Sequence, residues 1–310
     1  MIRLIAFRVL QFPLILAVIY LATFSLAWLA PGDPFQDERT IDPAVRQAFN
    51  ERYQTESPWQ FLMYYPAKAV LEGDLGPSMQ YKEWSVNDIV GASLPISVLL
   101  GLSAMAIATV VGALIGTLAA VRRDGWLDWA SLSVSLVGIS LPSFVTAAIL
   151  LMISASDWLR GVFAVGRFEK PVDLLLPSIA LSLAPMAYIA RLTRVSMLDT
   201  LSSDFIRTAR AKGLTRSRVV WKHALRNAIL PVLSYLGPAA AATLTGSFVV
   251  EKVFNIPGLG QHFVNSVLNR DRTLILGVVL VYSVFVLLFN LLVDVLYSVV
   301  DPRIQFEGGK

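Results

Sequence analysis

Six uncharged stretches divide this 310-residue chain, and each is long enough to cross a bilayer. They cover residues 9–30, 89–121, 129–156, 174–190, 227–250 and 273–293. A helix rises about 1.5 Å per residue, so about 20 apolar residues span the roughly 30 Å hydrocarbon layer. The chain is 55% hydrophobic and only 15% charged, which leaves too little polar surface for a soluble globule. The pattern therefore predicts an all-α membrane protein with six transmembrane helices.

The first and fourth stretches are the least regular of the six. The first follows a basic N-terminus, as in a signal peptide, but its 22 residues are enough to span, so we interpret it as a membrane anchor. The fourth has only 17 residues and contains Pro177 and Pro185, which remove backbone donors from a helix. We therefore expect the fourth span to be kinked or to begin late.

Lysine and arginine are unevenly distributed between the connections. Basic residues precede the first stretch, join the second to the third, and are most numerous at 191–226, with nine Lys/Arg against two Asp. The connection 31–88 instead carries ten acids and five bases. Because positive charge in connections marks the cytoplasmic side, both termini and 191–226 are predicted to be cytoplasmic, and 31–88 periplasmic.

The sequence excludes several kinds of chemistry. It has no cysteine, and its two histidines, His223 and His262, are too far apart to suggest a metal site. It has no Gly-x-x-x-x-Gly-Lys-Ser/Thr motif, so any energy from ATP has to come through a partner. The basic residues lie between apolar stretches, where charge reports topology and does not indicate nucleic-acid binding.

The outer connection 31–88 is too long for a simple loop and carries its own helix signals. Asp42-Pro43 and Ser57-Pro58 each place a capping residue before a proline, and Gln60 would complete a capping box with Ser57. Its aromatic residues suit the membrane interface. They are Tyr53, Trp59, Phe61, Tyr64, Tyr65, Tyr81 and Trp84. A segment this small cannot form an independent core, so a lid on the membrane surface is favoured over a ligand-binding domain.

Small and hydroxyl residues recur within the spans. Gly112 and Gly116 have the G-x-x-x-G spacing that lets helix backbones approach closely. The candidates for a polar translocation path are Ser140, Ser143, Thr146, Thr245 and Ser247, together with Thr243. Because Ser and Thr also bond to their own helix, packing without a path remains an alternative. Asp294 is the one ionisable residue well inside a span, and we interpret it as a structural partner for an arginine of the basic loop.

The most polar long stretch of the second half, residues 204–231, is a basic segment between the fourth and fifth spans. Ser203 or Asp204 can cap a short helix, and Gly213 stands where such a helix would end in a left-handed residue. Thr215 can cap a second helix that runs to the mouth of the fifth span. This helix would carry a basic stripe of Arg218, Lys222 and Arg226. Charge alone would also fit helices lying on anionic lipid, but a two-helix elbow exceeds what topology requires and indicates a docking element.

At its centre the basic segment reads Arg207-Thr208-Ala209-Arg210-Ala211-Lys212-Gly213-Leu214, and it resembles the EAA coupling loop of permease subunits in binding-protein-dependent ABC importers. Further motifs of these permeases follow in order along nearly the whole chain: Ala30-Pro31-Gly32-Asp33-Pro34, Gly73-Asp74-Leu75-Gly76-Pro77-Ser78, Tyr81-Lys82, Ser85-Val86-Asn87-Asp88, Arg191-Leu192-Thr193-Arg194, Pro257-Gly258-Leu259-Gly260-Gln261 and Asp301-Pro302-Arg303. Together they make the chain similar to the B-type membrane subunit of oligopeptide permeases. One departure stands at Arg207, where the general pattern has glutamate and peptide-type permeases share the altered form.

The resemblance implies a type I ABC importer permease fold, with an N-terminal helix, a periplasmic lid between helices 1 and 2, and a five-helix core. The corresponding divisions are 1–30, 31–90, 91–300 with a cytoplasmic coupling loop at 196–230, and a tail at 301–310. The implied partners are a homologous second permease subunit, two cytoplasmic ATPases that bind ATP and Mg, and a periplasmic peptide-binding protein. The chain itself would hold no cofactor and catalyse no reaction, and it would lie in the bacterial inner membrane.

Under the same resemblance, the loop 204–226 sits in a cleft of an ATPase and moves as a rigid elbow when ATP closes the ATPase pair. The implied contact residues are Phe205 and Leu214 as apolar plugs, Ala209 for close approach, Gly213 for the turn, and Arg207 and Arg210 for acidic ATPase residues. The expected substrate is an oligopeptide, with dipeptides, murein peptides or nickel chelates as alternatives. An ion-coupled secondary transporter would need more ionisable groups near the midplane, and a non-transporting scaffold would use the small-residue faces only for packing.

Overall fold

The computed structural model describes residues 2–30, 57–81, 84–156, 168 and 170–300. Within these ranges the helices are α1 (Ile2–Leu29), α2 (Pro58–Leu71), α3 (Val86–Val121), α4 (Trp126–Ser140), α5 (Ser143–Ser154), a 3₁₀ turn (Pro171–Leu174), α6 (Leu175–Ser202), α7 (Asp204–Ala211), α8 (Arg216–Ala228), α9 (Leu230–Phe254), α10 (Leu259–Leu268) and α11 (Arg272–Val300). The β pairing in this described part is a single isolated bridge between Pro77 and Ser85.

The apolar helices match the six stretches predicted to cross the membrane. Four unbroken helices are long and apolar enough to span: Ile5–Leu29, Val86–Val121, Pro171–Ser202 and Arg272–Val295. Two further spans arise if each bent pair, α4 with α5 and α8 with α9, is counted as one. The prediction of an all-α membrane protein is therefore confirmed.

The third predicted span is not one helix, as the uncharged stretch 129–156 had suggested. It breaks between α4 and α5 with a bend of 105°. Pro142 has no backbone donor, and its ring disfavours helical backbone at the residue before it. Leu141 accordingly adopts φ −84° and ψ 121°, which is extended backbone. The proline thus divides the span into two short helices.

The fourth and fifth spans extend beyond their apolar stretches. The helix α6 continues past Arg191, where the uncharged stretch ends, as far as Ser202. Its Pro177 lies in the first turn, where a missing donor is tolerated, and Pro185 lies inside the helix. The helix α9 continues to Phe254, so Glu251, which the sequence placed in the outer connection, is a fully buried helical residue.

The chain divides into two compact units. One contains Val98–Ile256 and the part of α11 from Leu288 onward, and it includes the basic segment. Within this unit α6 is central. An ideal Cβ on Gly116 of α3 would lie 2.3 Å from the backbone oxygen of Ala190, and one on Gly138 of α4 would lie 3.1 Å from the Cβ of Ala187. The two glycines therefore allow α3 and α4 to pack closely on α6, as the G-x-x-x-G spacing predicted for α3.

The other unit contains Ala6–Ser97 and Pro257–Leu287, and an aromatic cluster holds it together. Tyr20 and Phe24 of α1 pack with Phe61 and Tyr65 of α2 and with Leu276 of α11. The rings of Phe61 and Tyr65 are stacked with centroids 5.2 Å apart. The helix α2 is thus fixed by buried aromatic surface, which contributes about 0.5–1.5 kcal/mol per aromatic pair beyond area burial.

The start of α2 corrects one sequence prediction. Ser57 stands at the N-cap with Pro58 at the first helical position, as expected, but its side chain makes no capping hydrogen bond. The capping box predicted for Ser57 and Gln60 is therefore wrong, and proline geometry alone accounts for the start. The other predicted helix start, Asp42-Pro43, lies outside the described residues.

In the second unit, a fully buried carboxylate stands just before the first residue of α11 and binds the segment before α3. Asp271 accepts hydrogen bonds on Oδ1 from Thr273 Oγ1 and the Leu274 backbone N–H, both at 3.0 Å. On Oδ2 it accepts bonds from Ser78 Oγ at 2.5 Å and from the Gln80 backbone N–H at 3.2 Å. Asp271 thus caps α11 and ties it to the segment before α3, a role that spacing along the sequence did not reveal.

Candidate functional site

The basic segment folds as the predicted elbow. The helix α7 ends at a turn in which Gly213 has φ +75°, so the left-handed residue expected there is present. The backbone N–H of Gly213 donates to Arg210 O at 2.9 Å, and that of Leu214 donates to Ala209 O at 3.3 Å. Ser203 and Thr215 occupy the two N-cap positions without side-chain capping bonds. The Ser203 hydroxyl instead donates to Thr200 O at 2.6 Å.

A buried cluster, here called the elbow core, attaches both loop helices to the neighbouring spans. It consists of Ala120 from α3, Met197 from α6, Ile206 and Ala209 from α7, and Val219, Val220, Ala224 and Ala228 from α8. Leu214 is partly buried against the same cluster. Since Ile206 is 0% exposed and Ala209 only 7%, the inner face of α7 is packed and the elbow is anchored to the ends of α3 and α6.

The exposed surface of the elbow is cationic and includes two large apolar side chains, Phe205 and the 41% exposed Trp221. Phe205 is 45% exposed. Seven basic residues of the segment are also exposed: Arg207, Arg210, Lys212, Arg216, Arg218, Lys222 and Arg226. Arg207 pairs with Asp204 at 3.3 Å, but both side chains are exposed, and such a surface pair contributes little to stability. The elbow therefore presents positive charge around Phe205.

Two expectations about the elbow change with this geometry. Ala209, expected to allow close approach of an ATPase, faces the elbow core and contributes to internal packing. Part of the second helix, Val219–Ala224, is a π-helical turn, a wider helix that often marks functional sites. Arg218, Lys222 and Arg226 are all exposed, but they flank or lie within this turn, so they are not spaced as on a regular α-helix.

Arg216 connects the elbow to the end of α3. Its Nη2 donates to the backbone oxygen of Val121 at 3.0 Å. Arg216, Arg123 and Arg210 border a concavity of about 300 Å³ whose other walls include Leu198 and Val219. A bond from a guanidinium to a C-terminal carbonyl also complements the negative end of the α3 dipole.

An ion pair between a buried carboxylate and a partly buried guanidinium, which sequence reasoning missed, joins α4 to α6. Arg194 of α6 donates from Nη2 to Asp128 Oδ2 at 2.8 Å and from Nε to Oδ1 of the same carboxylate. The side chains are 18% and 4% exposed, respectively. A run of apolar sequence with one Asp near its start gave no signal for this pair, because the two residues are distant in the sequence.

A concavity of about 390 Å³ lies at the break between α4 and α5, bordered by α6 and α9. Ser140 and Ser143, two of the predicted path residues, are among its lining residues, as is Thr243. Tyr188 and Tyr235 also line it, with their rings stacked at 4.2 Å between centroids. The structure thus brings polar residues of three helices together at this concavity. It also places two tyrosines there that were not among the predicted path residues.

Two other predicted path residues, Thr146 and Ser247, do not line this concavity. Thr146 is buried, and its hydroxyl lies 3.5 Å from Pro142 O, while Ser247 is buried and donates to Leu244 O at 2.7 Å. These contacts fit the alternative that hydroxyls bond within their own helix. The side chain of Thr245 lies outside the described part of the structure. Asp294 is partly exposed on α11, and its predicted pairing with an arginine stays a prediction.

The described residues contain no group of three or more His, Asp or Glu side chains that could hold a metal ion.

Comparison with known proteins identifies the class. Residues 112–306 match the family described as "Binding-protein-dependent transport system inner membrane component". This match covers more than half of the chain, and the chain belongs to this family. It is thus a multi-pass membrane subunit of a transport system with the all-α ABC importer permease fold, which confirms the resemblance found in the sequence.

Individual relatives extend the match over nearly the whole chain. The dipeptide transport system permease protein DppB of Bacillus subtilis (strain 168) is 42% identical over 94% of both chains. The oligopeptide transport system permease protein OppB of Escherichia coli (strain K12) is 42% identical over 94% of this chain and 95% of its own. The OppB protein of Haemophilus influenzae is 41% identical over 99% of this chain and 100% of its own. A solved structure of an amino acid ABC transporter with histidines is 19% identical over 70% of this chain and 94% of that chain, with a TM-score of 0.48.

Proposed function

We propose that this chain is the membrane permease subunit of an ATP-driven peptide importer and that the elbow at 204–226 is its contact with an ATPase. The observation that supports this proposal is that the two faces of α7 differ. Its inner face, with Ile206 fully buried, is anchored to the ends of α3 and α6, whereas its outer face presents Phe205 and exposed arginines. A short helix anchored in this way can transmit a push to the spans.

Each predicted contact residue then has a defined part. Phe205 is the apolar plug, since it is half-exposed and projects from an anchored helix. Arg207 and Arg210 are exposed and would meet acidic ATPase residues, which gives orientation and a faster encounter. Gly213 supplies the left-handed turn. Ala209 and Leu214 act from the inside, where they fix the elbow to its core.

The partners follow from the lack of an ATP-binding loop in the chain and from the named relatives. ATP and Mg would bind to two cytoplasmic ATPase subunits, and this chain would pair with a homologous second permease subunit. A periplasmic peptide-binding protein would deliver substrate to the segments 31–88 and 255–261. The charge distribution supports a bacterial inner-membrane location with both termini and the elbow in the cytoplasm.

The substrate class we propose is peptide, with oligopeptides as the main reading. Relatives named for oligopeptide and for dipeptide transport are equally similar at 42% identity, so similarity alone does not set peptide length. Murein peptides and nickel chelates belong to the same alternative. The candidate path is the concavity at the break between α4 and α5, with Ser140 and Ser143 on its wall.

Crosslinking tests the elbow directly, because the chain has no cysteine of its own. A single cysteine at Thr208, which is exposed, should crosslink to a co-expressed ATPase, whereas a cysteine at the adjacent buried position Ala209 should not. Equal crosslinking at both positions, or none at Thr208, Phe205 and Arg207, would contradict the proposed contact.

Uptake tests the transport function. The assembled complex in proteoliposomes should take up radiolabelled peptide only when ATP and the binding protein are both supplied. Peptide uptake that follows an ion gradient without ATP would instead support a secondary transporter. Peptides of two to about ten residues, assayed in parallel, would distinguish dipeptide from oligopeptide transport.

A further inference from the structure

The ion pair of the buried Asp128 and the partly buried Arg194 joins α4 to α6 by a two-pronged contact. Arg194 donates from two nitrogens to the two oxygens of one carboxylate, which fixes orientation as well as distance. The Asp124 backbone N–H adds a third bond to Asp128 Oδ2 at 3.0 Å. Asp128 lies in the first turn of α4, where the helix dipole also favours a negative charge.

Along α6, Arg194 lies between the residues that contact the elbow and the residues that line the concavity at the break between α4 and α5. On one side, Met197 of α6 is fully buried in the elbow core. On the other side, Pro185 and Tyr188 of the same helix line the concavity at the break. Because α6 is one continuous helix from Leu175 to Ser202, a displacement received at Met197 reaches both Arg194 and the concavity.

The helix α4 is attached to α6 at two separated points. One is the ion pair near the start of α4, and the other is Gly138 near its end, where an ideal Cβ would lie 3.1 Å from the Cβ of Ala187. Just beyond Gly138, α4 ends and the chain bends by 105° at Pro142. Two attachments on one side of a sharp bend make α4 follow α6, and α5, beyond the bend, packs against both α6 and α9.

We propose that Asp128 and Arg194 are positioning residues of the transport cycle: their ion pair makes α4 follow α6, so that movement of the elbow displaces the wall of the concavity at Ser140. This inference rests on the proposed function. A merely structural ion pair would contribute to stability, and buried pairs often contribute little to it. The two roles therefore differ in what fails when the pair is broken.

The discriminating quantity is the number of peptides imported per ATP hydrolysed by the reconstituted complex. Asp128→Asn removes the charge at nearly constant shape, and Arg194→Lys keeps the charge but loses the two-pronged geometry. In both variants ATP hydrolysis should continue while the ratio falls at least about fivefold, the lower end of coupling effects between linked sites. The matched control is Asp199→Asn, because Asp199 is an exposed acid of α6 outside the ion pair and should leave the ratio unchanged.

A chemical rescue keeps the test independent of folding defects. The double variant Asp128→Cys with Arg194→Cys, in a complex whose other subunits are made cysteine-free, should show the reduced ratio. Joining the two thiols with a short bis-methanethiosulfonate, which forms a disulfide at each cysteine with loss of methanesulfinate, should restore the ratio. Reduction of both disulfides with excess dithiothreitol should then abolish it again in the same preparation. A monofunctional reagent of the same chemistry should not restore it.

The outcomes separate this inference from the proposed function. Peptide import by the wild-type complex without ATP would overturn the proposed function and this inference with it. If the wild-type complex couples ATP to import and the Asp128 and Arg194 variants keep the same ratio, only the positioning role is overturned. Restoration by the monofunctional reagent as well as by the bifunctional one would likewise overturn it.

Discussion

The adjacent residues Phe205 and Ile206 should separate docking from folding. They are neighbours on α7, but Phe205 is 45% exposed on the outer face and Ile206 is 0% exposed in the elbow core. We predict that Phe205→Ala weakens ATPase binding without destabilising the chain. We predict that Ile206→Ala reduces both, because the helix that carries the contact loses its anchor.

The magnitudes follow from the exposed fractions. Burying a whole Phe side chain contributes roughly 1.5–3 kcal/mol, so covering the exposed part of Phe205 contributes about 1 kcal/mol. That corresponds to an increase of about fivefold in the dissociation constant for Phe205→Ala. Truncating the fully buried Ile206 removes packed surface and leaves a cavity, which should lower the free energy of unfolding by about 2–5 kcal/mol.

Two measurements on the same preparations check this prediction. The dissociation constant is measured by biolayer interferometry between the purified ATPase and the permease complex in nanodiscs. The free energy of unfolding is measured by titration with SDS in mixed micelles, followed by tryptophan fluorescence. If Phe205→Ala binds as tightly as the wild type, the plug role is refuted, and if it destabilises the chain as much as Ile206→Ala, the two-sided construction of α7 is refuted.

Four further predictions follow, all read out as the free energy of unfolding in the same SDS titration. Gly116→Ala should destabilise the chain by about 1–3 kcal/mol relative to Gly91→Ala in the same helix. The reason is that a Cβ at Gly116 meets backbone, whereas one at Gly91 meets nothing within 4 Å. Equal values for the two variants would contradict the close packing of α3 on α6. Gly213→Ala should cost about 1–2 kcal/mol through its positive φ alone, since space around it is open, and Gly213→Asn should cost less. Asp271→Asn should cost about 1–3 kcal/mol, because one amide oxygen cannot accept the four bonds made by the carboxylate; a neutral result would show that these bonds do not fix α11. Burial lowers the pKa of His262. The contribution of this histidine to stability is therefore complete above about pH 6.5, the unfolded value, and is lost as the pH falls through the folded pKa. The variant His262→Gln should remove that part of the pH dependence of the free energy of unfolding, and an unchanged pH profile would contradict this prediction.

The elbow shows which structural features can be predicted from residues that are close together in the sequence. The helix, glycine, helix order of 204–231 was visible in the sequence because Gly213 and the residues at its helix starts act on their immediate neighbours. Which residues of α7 face inward was not visible, because its apolar residues Phe205, Ile206 and Ala209 could each face the neighbouring spans or a partner protein. The contact of Ile206 and Ala209 with Met197 and Val219 decided it, and Ala209 consequently changed from an outer to an inner residue.

The third span shows a structural feature that the sequence alone could not predict. Its length and lack of charge predicted one helix, and Pro142 was visible in the sequence, yet a proline in a membrane helix can be accommodated as a kink when neighbours satisfy the freed groups. The neighbouring helices decide whether the chain bends, and here the bend of 105° places Ser140 and Ser143 beside α6 and α9.

The sequence by itself determined the class of the protein, its six apolar stretches and the cationic elbow between two of them. These properties depend on composition and on residues close together in the chain, where the hydrophobic effect and backbone preferences act locally. Only the tertiary structure decided the ion pair of Asp128 with Arg194, the fourfold-bonded cap at Asp271 and the inner face of α7. Each of these joins residues distant in sequence, and their partners are selected by how whole helices pack, which no short stretch of sequence specifies.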